Sequence, residues 1–258
     1  MREIGYNKPV FIIAEAGINH NGDLKLAKEM AWEAYRAGAD SVKYQTFIPS
    51  ELGDRYKNIT YAETKELKEY CDEIGILFLS TPHSESAVNF LNDLVPAFKI
   101  ASPFLFNKKF LVKVMGKNKP IIISIHEKAV SSDFEWLTEI KKPKVYFMHT
   151  VCHYPAISPL FLRLYEFMKL YPDTLWGYSD HTIGIENCVG AVKVFGACII
   201  EKHFKIVEDC PDSDHSATPL KLRRMVDEIR EMEKAKNRTP EAHQMGLDGI
   251  ISRESQAG

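Results

Sequence analysis

Two histidines stand at positions where metal chemistry is within reach. His181 closes the run WGYSDH that begins at Trp176, and His203 closes the run ACIIEKH that begins at Ala197. A Gly/Ala/Val-rich stretch from about Gly184 to Phe195 lies between them and reads as a helix. Strand, helix and strand in that order make a βαβ unit, whose parallel strands end on the same side of the sheet. Imidazoles at neighbouring strand ends suit a divalent cation. Ordinary loop histidines satisfy the same spacing, so the pair alone does not decide.

The rest of the chain repeats that unit. Apolar runs end near Ala14, Phe47, Pro82, Ser102, Ile125 and Thr150, and each is followed by an amphipathic or capped stretch of helical spacing. Predicted helices cover about 24–37, 61–74, 84–94, 108–115, 133–140 and 159–170, with a last one over 221–235. Asp23 is the expected N-cap of the first helix and Gly38 its terminator. Runs such as IIISI and CII fit strands covered on both faces. With strands seven and eight around the two histidines, eight βα units are predicted, and a (β/α)8 TIM barrel is the economical α/β fold. A doubly wound open sheet is the alternative, which the eighth strand disfavours. The chain has 258 residues, and such a barrel needs about 250. A single barrel domain over 1–240 is expected, with 241–258 as a linker-like tail.

Composition narrows the function classes. Hydrophobic residues are 45% and charged residues 26% of the sequence, with a formal charge of −2, so neither nucleic acid nor an anionic membrane is an expected partner. Any anionic ligand must be met by local lysines. The five cysteines are odd in number and show no CxxC spacing, which favours reduced thiols in a cytoplasm. The N-terminal apolar run is too short for a signal peptide, and no run reaches membrane-spanning length.

In a barrel the site lies at the C-terminal ends of the strands. Those ends carry Glu15, Asn19 and His20, then Lys43 and Gln45, Ser80 and Thr81, Lys99 and Ser102, and Ser124. His149 and Tyr154, Ser179 to His181, Glu201 and His203 complete the ring, with Asp214 and His215 in the last loop. Lys43 and Lys99 fall on inward positions, where an ammonium is costly unless it meets an anion. With Ser102, Ser124 and Thr81 they form a cradle for a phosphate and a carboxylate. Ion pairs with Glu15 or Glu201 would satisfy the same lysines without any ligand. Glu15 and Asp214 are the carboxylates placed to act as acid or base. Two histidines without a third firm protein ligand suggest a loosely held ion completed by water and substrate.

From Phe11 to about Ala217 the chain resembles the sialic acid synthase (N-acetylneuraminate synthase) family. The resemblance is carried in order by IAEAGINHNGDLKLAK, AGADSVKYQTF, FLSTP, FKIAS, GYSDHTIGIE and IIEKHF, and it ends in DSDHSA. It implies condensation of phosphoenolpyruvate with an open-chain N-acetylated sugar aldehyde, releasing phosphate and yielding a 2-keto-3-deoxy sugar acid. It makes His181 and His203 ligands of Mn2+, with Mg2+ or Co2+ as alternatives. It assigns Lys43, Lys99, Ser102, Ser124, Tyr154 and Ser179 to phosphoenolpyruvate and gives Glu15 and Asp214 the proton transfers; Gln45 and Thr81 are expected among the substrate-binding residues from their places at the strand ends. A cytoplasmic homodimer is expected on the same ground.

The departures from the family pattern concern the sugar side. The segment between Phe47 and Tyr61 is shorter than the family's second βα loop. Pro103 and Phe104 stand where many members place a small residue and then Glu. Ile125, His126 and Glu127 replace a usual Thr-Gly-Met, and Cys152 stands where Asn or Ser is usual. The sequence stops near where the family's antifreeze-like domain, which lends an Arg to the neighbouring subunit's sugar pocket, would begin. A naturally short enzyme for another aldehyde, poor with N-acetylmannosamine, is therefore expected; a chain cut from a longer protein is the alternative.

Overall fold

The computed structural model describes residues 1–48, 57–140 and 144–236. Eight parallel strands alternate with eight α-helices among these residues, and the strands curl into a nearly closed barrel. The strands are β1 (Phe11–Gly17), β2 (Ser41–Thr46), β3 (Leu77–Pro82), β4 (Phe98–Ile100), β5 (Ile121–His126), β6 (Val145–Thr150), β7 (Trp176–Asp180) and β8 (Ile199–His203). The helices are α1 (Leu24–Arg36), α2 (Tyr61–Ile74), α3 (Glu85–Leu91), α4 (Lys108–Met115), α5 (Ser131–Thr138), α6 (Phe161–Leu170), α7 (Glu186–Phe195) and α8 (Pro219–Lys236). Hydrogen-bonded neighbours run β3-β2-β1-β8-β7-β6-β5-β4, and the two end strands lie side by side to complete the ring. The predicted (β/α)8 architecture is the observed one. The predicted tail, 241–258, lies outside the described residues, as does most of the shortened segment after Phe47.

Local chemistry sets the element ends. Asp23 accepts from the backbone N–H groups of Lys25 and Leu26 and starts α1. Thr60 and Glu63 form a reciprocal capping box at α2, which Gly75 ends in the left-handed region. The helices cover the outer strand faces with one large apolar layer that includes Ile12, Val42, Phe78, Phe147, Trp176 and Ile200.

A second, smaller apolar cluster fills the barrel itself. Phe11, Ile13, Leu79, Ile122, Tyr146, Met148 and Ile199 belong to it, all at inward positions. Because side chains alternate along a strand, the next inward position towards the C-terminal end falls two residues later. Those next positions hold Glu15, Lys43, Thr81, Ser124, Ser179 and Glu201. The apolar plug thus ends where the charged layer begins. Gly177 occupies the inward place on β7, where an added Cβ would lie 2.6 Å from the Ile199 carbonyl oxygen; only a glycine lets β7 and β8 approach so closely.

The opposite faces of β7 and β8 hold a buried ion pair. Lys202 Nζ lies 2.8 Å from Asp180 Oδ2, and both side chains are fully buried. Tyr178 and Thr182 donate hydroxyl hydrogens to Asp180 Oδ1 at 2.8 and 2.7 Å. Asp180 and Lys202 also pair in the strand register. The network therefore fixes the two strands immediately beneath the residues that follow, His181 and His203. Asp180, read as a strand-end polar residue, faces the helices and not the barrel mouth.

Candidate active site

The strand register assembles the charged layer. Glu15 is level with Lys43 on one side and with His203 on the other, and Ser179 is level with Glu201. Lys43 Nζ lies 2.5 Å from Glu15 Oε2 and 3.8 Å from Glu201 Oε2, and it donates to Thr81 Oγ1 at 3.1 Å. Lys99 Nζ lies 3.5 Å from Glu201 Oε1 and donates to Ser124 Oγ at 2.8 Å. Ser179 Oγ donates to Glu201 Oε1 at 2.9 Å. All of these side chains are buried. Both carboxylates weighed as partners for the lysines are thus present, and Glu201 bridges the two cations.

The two carboxylates are driven in opposite directions. Burial raises the Glu15 carboxyl above its ordinary value, and the Glu201 carboxylate adds to that effect while Lys43 opposes it. Burial also acts to raise Glu201, but Lys43 and Lys99 overcome it and hold that group down to about 2. Burial lowers the Lys99 ammonium, whereas at Lys43 it is outweighed by Glu15 and Glu201, leaving that ammonium raised. A carboxyl raised above its ordinary value beside one held well below it is the environment that separates a proton carrier from an electrostatic anchor.

Gly17 opens the layer towards the mouth. It sits at a register shift in β1 with φ +55, and an added Cβ would lie 3.3 Å from Glu15 Oε1, 3.4 Å from Asp212 Oδ2 and 3.6 Å from Gln45 Nε2. Gln45 therefore borders the same space as Glu15. Ser102 opens the 3-10 turn Ser102–Phe106, and its hydroxyl lies 2.9 Å from Cys152 Sγ. Phe104 turns away from the mouth and stacks on Phe110 with centroids 4.4 Å apart.

Above the layer lies a cluster of imidazoles. The rings of His181 and His203 are 5.1 Å apart, those of His203 and His215 4.5 Å, and those of His181 and His215 6.1 Å. The Tyr154 ring packs tilted against His181, with centroids 4.3 Å apart. His181 Nδ1 donates to the Val151 carbonyl at 2.6 Å, which leaves Nε2 as its free lone pair. Burial holds His181 at about 3 and His215 at about 4, so both rings are neutral, the form a metal ion requires. His203 Nδ1 contacts Asp212 Oδ2 at 3.1 Å, and among the described residues His215 Nε2 is buried without a hydrogen-bond partner. One donor atom each from His203, Asp212 and His215 lies within 4.8 Å of the others. Neutral nitrogens, a carboxylate and an unpartnered buried nitrogen fit a divalent cation.

Sequence reasoning assigned the last loop differently. Asp214, expected as an acid or base, is exposed in the 3-10 turn Ser213–His215. Asp212 and His215 are the residues turned inward. Positions i and i+3 align along a 3-10 turn, which puts these two on one side and the residue between them on another. Asn19 fixes that turn by accepting the Asp212 backbone N–H at 2.9 Å and donating to the Phe204 carbonyl at 2.9 Å. The three-residue spacing within DSDH was the available signal; two nearby aspartates obscured it.

Two further histidines at the strand ends are structural. His149 points outward to the helices, where its Nε2 meets the Pro159 carbonyl at 3.0 Å, and the Gly22 backbone N–H donates to His20 Nδ1 at 3.1 Å. Burial lowers both to about 4. An unfolded histidine takes its proton near pH 6.5, so the unfolded state binds more protons between pH 6.5 and 4. Stability is full above pH 6.5 and is lost as pH falls towards 4. Urea unfolding in EDTA is expected to show that loss, and His149→Gln to make it shallower; a midpoint constant over this range would contradict the assignment.

A parallel barrel with an acid–lysine layer beneath a histidine–aspartate rim has the architecture of a barrel enzyme with its site at the strand C-termini. Comparison with known proteins places it further: the NeuB family pattern matches residues 54–240, and the chain belongs to that family. The N-acetylneuraminate-9-phosphate synthase of Homo sapiens is 34% identical over 267 residues, covering 91% of this chain and 73% of that protein. The N,N'-diacetyllegionaminic acid synthase of Campylobacter jejuni is 34% identical over 260 residues, covering 88% of this chain and 78% of that protein. Among solved structures, the N-acetylneuraminic acid synthetase of Leptospira borgpetersenii, in complex with citrate, superposes with a TM-score of 0.84 at 32% identity, covering 98% of this chain and 94% of that one. Among the described residues no helix is long and apolar enough to cross a membrane.

Proposed function

We propose that residues 1–240 form one synthase domain that condenses phosphoenolpyruvate with an open-chain, N-acetylated sugar aldehyde. The observation that carries this reading is the opposed pair Glu15 and Glu201 around two inward lysines, directly below the histidine–aspartate donors. Lys43 and Lys99, with Thr81, Ser102, Ser124 and Ser179, hold the phosphate and carboxylate of phosphoenolpyruvate, and Tyr154 and Gln45 border the space above. The lysines exchange part of their carboxylate contacts for the substrate's anionic oxygens, while Glu201 keeps both ammonium groups in place.

C3 of phosphoenolpyruvate forms a bond to the aldehyde carbon, whose oxygen takes a proton and becomes a hydroxyl. Water adds its oxygen at C2 and gives up both protons in turn, the first balancing the one taken by the new hydroxyl and the second passing to the phosphate oxygen as the bond from C2 to that oxygen breaks, which leaves the ketone and inorganic phosphate. Glu15, the carboxyl raised above its ordinary value, supplies and receives protons at these steps, and Asp214 serves the sugar side from the exposed turn. His203, Asp212, His215 and His181 would hold a divalent ion, Mn2+ in this reading, which supplies Lewis-acid polarisation of the aldehyde oxygen. The same reading makes the protein a cytoplasmic homodimer.

The relatives are named for products of different sugars, and this chain has its own residues at the β5 and β6 ends. We therefore take the aldehyde to differ from N-acetylmannosamine. Phosphate release from phosphoenolpyruvate, measured with and without Mn2+ across N-acetylated hexoses, 6-phosphorylated hexoses and diacetamido sugars, tests the proposal. Release that needs both an aldehyde and the metal is expected. Lys99→Met is expected to weaken phosphoenolpyruvate binding by at least about tenfold, the loss of one charge-assisted contact. Phosphoenolpyruvate that binds but is not consumed with any aldehyde would leave a binding barrel as the answer.

A further inference from the structure

The ends of β5 and β6 carry side chains that neither the acid–lysine layer nor the histidine rim uses. His126 is the last residue of β5, Glu127 follows it, and Cys152 lies just beyond the end of β6. The register sets His126 level with Thr150, which brings the next residues of both strands together. His126 Nδ1 lies 3.0 Å from Glu127 Oε2, and the Cys152 backbone N–H donates to that oxygen at 3.0 Å. One donor atom each from His126, Glu127 and Cys152 lies within 4.8 Å of the others.

The hydrogen bonding leaves this group short of a positive charge. The Lys128 backbone N–H donates to His126 Nδ1 at 3.0 Å, so that nitrogen offers a lone pair and not a proton. The Glu127 oxygen beside it is also an acceptor, and two acceptors so close repel unless a cation lies between them. Either a proton or a metal ion on Nδ1 would relieve the repulsion, and either would displace the Lys128 N–H from that lone pair. A metal ion takes the imidazole, carboxylate and thiolate lone pairs together.

The group is also rigidly held. Arg163 donates from Nε to the Glu127 carbonyl at 3.2 Å and from Nη2 to the Ala129 carbonyl at 2.5 Å, and its Nη1 donates to Glu166 at 2.6 Å. The Ala129 N–H closes the turn on the His126 carbonyl at 2.9 Å. The Ser102 hydroxyl lies 2.9 Å from Cys152 Sγ and so borders the group.

We propose that His126, Glu127 and Cys152 form a second cation site, suited to a borderline ion such as Zn2+ and distinct from the His203–Asp212–His215 donors. One nitrogen, one carboxylate and one sulfur leave a position for water or the Ser102 hydroxyl. A thiolate and a carboxylate together balance a divalent charge, and the Cys152 proton is released on binding. The site borders the phosphoenolpyruvate cradle proposed above through Ser102, and its test reads metal binding and not turnover.

Cobalt distinguishes the two donor sets, because thiolate bound to Co2+ gives a near-ultraviolet charge-transfer band that nitrogen and oxygen ligands do not. The metal-stripped full chain titrated with Co2+ is expected to show the band saturating by two equivalents, one for each donor set. Cys152→Ser should abolish it, and His126→Gln or Glu127→Gln should weaken Co2+ affinity at least about tenfold, with circular dichroism confirming each fold. His203→Gln should leave the band in place. Absence of the band in the folded parent, or its survival in Cys152→Ser, would overturn the proposal.

Discussion

Replacing Glu201 by Gln is expected to lower folding stability by about 3–5 kcal/mol, the usual cost of removing one partner from a buried charge pair. Glu201 is the anion between Lys43, 3.8 Å away, and Lys99, 3.5 Å away. Without it Lys99 keeps the Ser124 hydroxyl and the more distant Glu15 charge, whereas Lys43 retains Glu15 in direct contact. The folded carboxyl is held near 2, below the ordinary unfolded range. Its stabilisation is therefore fully present above the unfolded value and is lost as pH falls through about 2. Urea unfolding at pH 7 reads the whole effect, and a loss below about 1 kcal/mol would mean that Glu201 does not anchor the lysines. The double variant Glu201→Gln/Lys99→Met should regain part of the stability, because the orphaned cation goes with its partner.

His203→Gln is expected to cut metal-dependent phosphoenolpyruvate consumption by on the order of a thousandfold. Lewis-acid stabilisation of a developing alkoxide is worth several kcal/mol, and each 1.36 kcal/mol is about a factor of ten. His203 sits between His181 and His215 and contacts Asp212, so its loss opens the donor set at its centre. It lies at the rim above the charged layer, and the unfolding midpoint should move far less than in Glu201→Gln. Steady-state kinetics with EDTA and added Mn2+ measure the effect. A variant that responds to both as the parent does would remove His203 from the metal-binding set.

Much of the barrel was legible because each strand announces its own end. IIISI gives way to His126 and Glu127, and ACII gives way to Glu201, Lys202 and His203; such a change from apolar to polar marks where an inward run leaves the core. The two-residue alternation also put Lys43 and Lys99 inside before any contact was known. The strand carrying His203 is longer than its apolar run: β8 extends through Glu201–His203, because the polar residues there still pair with β1 and β7.

The sequence by itself determined the repeating βα unit, the inward lysines, and the meeting of His181 and His203 at one rim. These follow from periodicity and from the fixed direction of parallel strands, both of which are local properties. Only the tertiary structure decided which carboxylate meets which cation. Glu201 bridges both lysines while Asp180, on the other face of the neighbouring strand, pairs with Lys202. It also turned Asp212 inward and Asp214 outward, and it brought His126, Glu127 and Cys152 into one group from two strands. Those outcomes depend on strand register, barrel closure and the conformation of a single turn, which join residues far apart in the chain at distances of a few ångströms that no local pattern encodes.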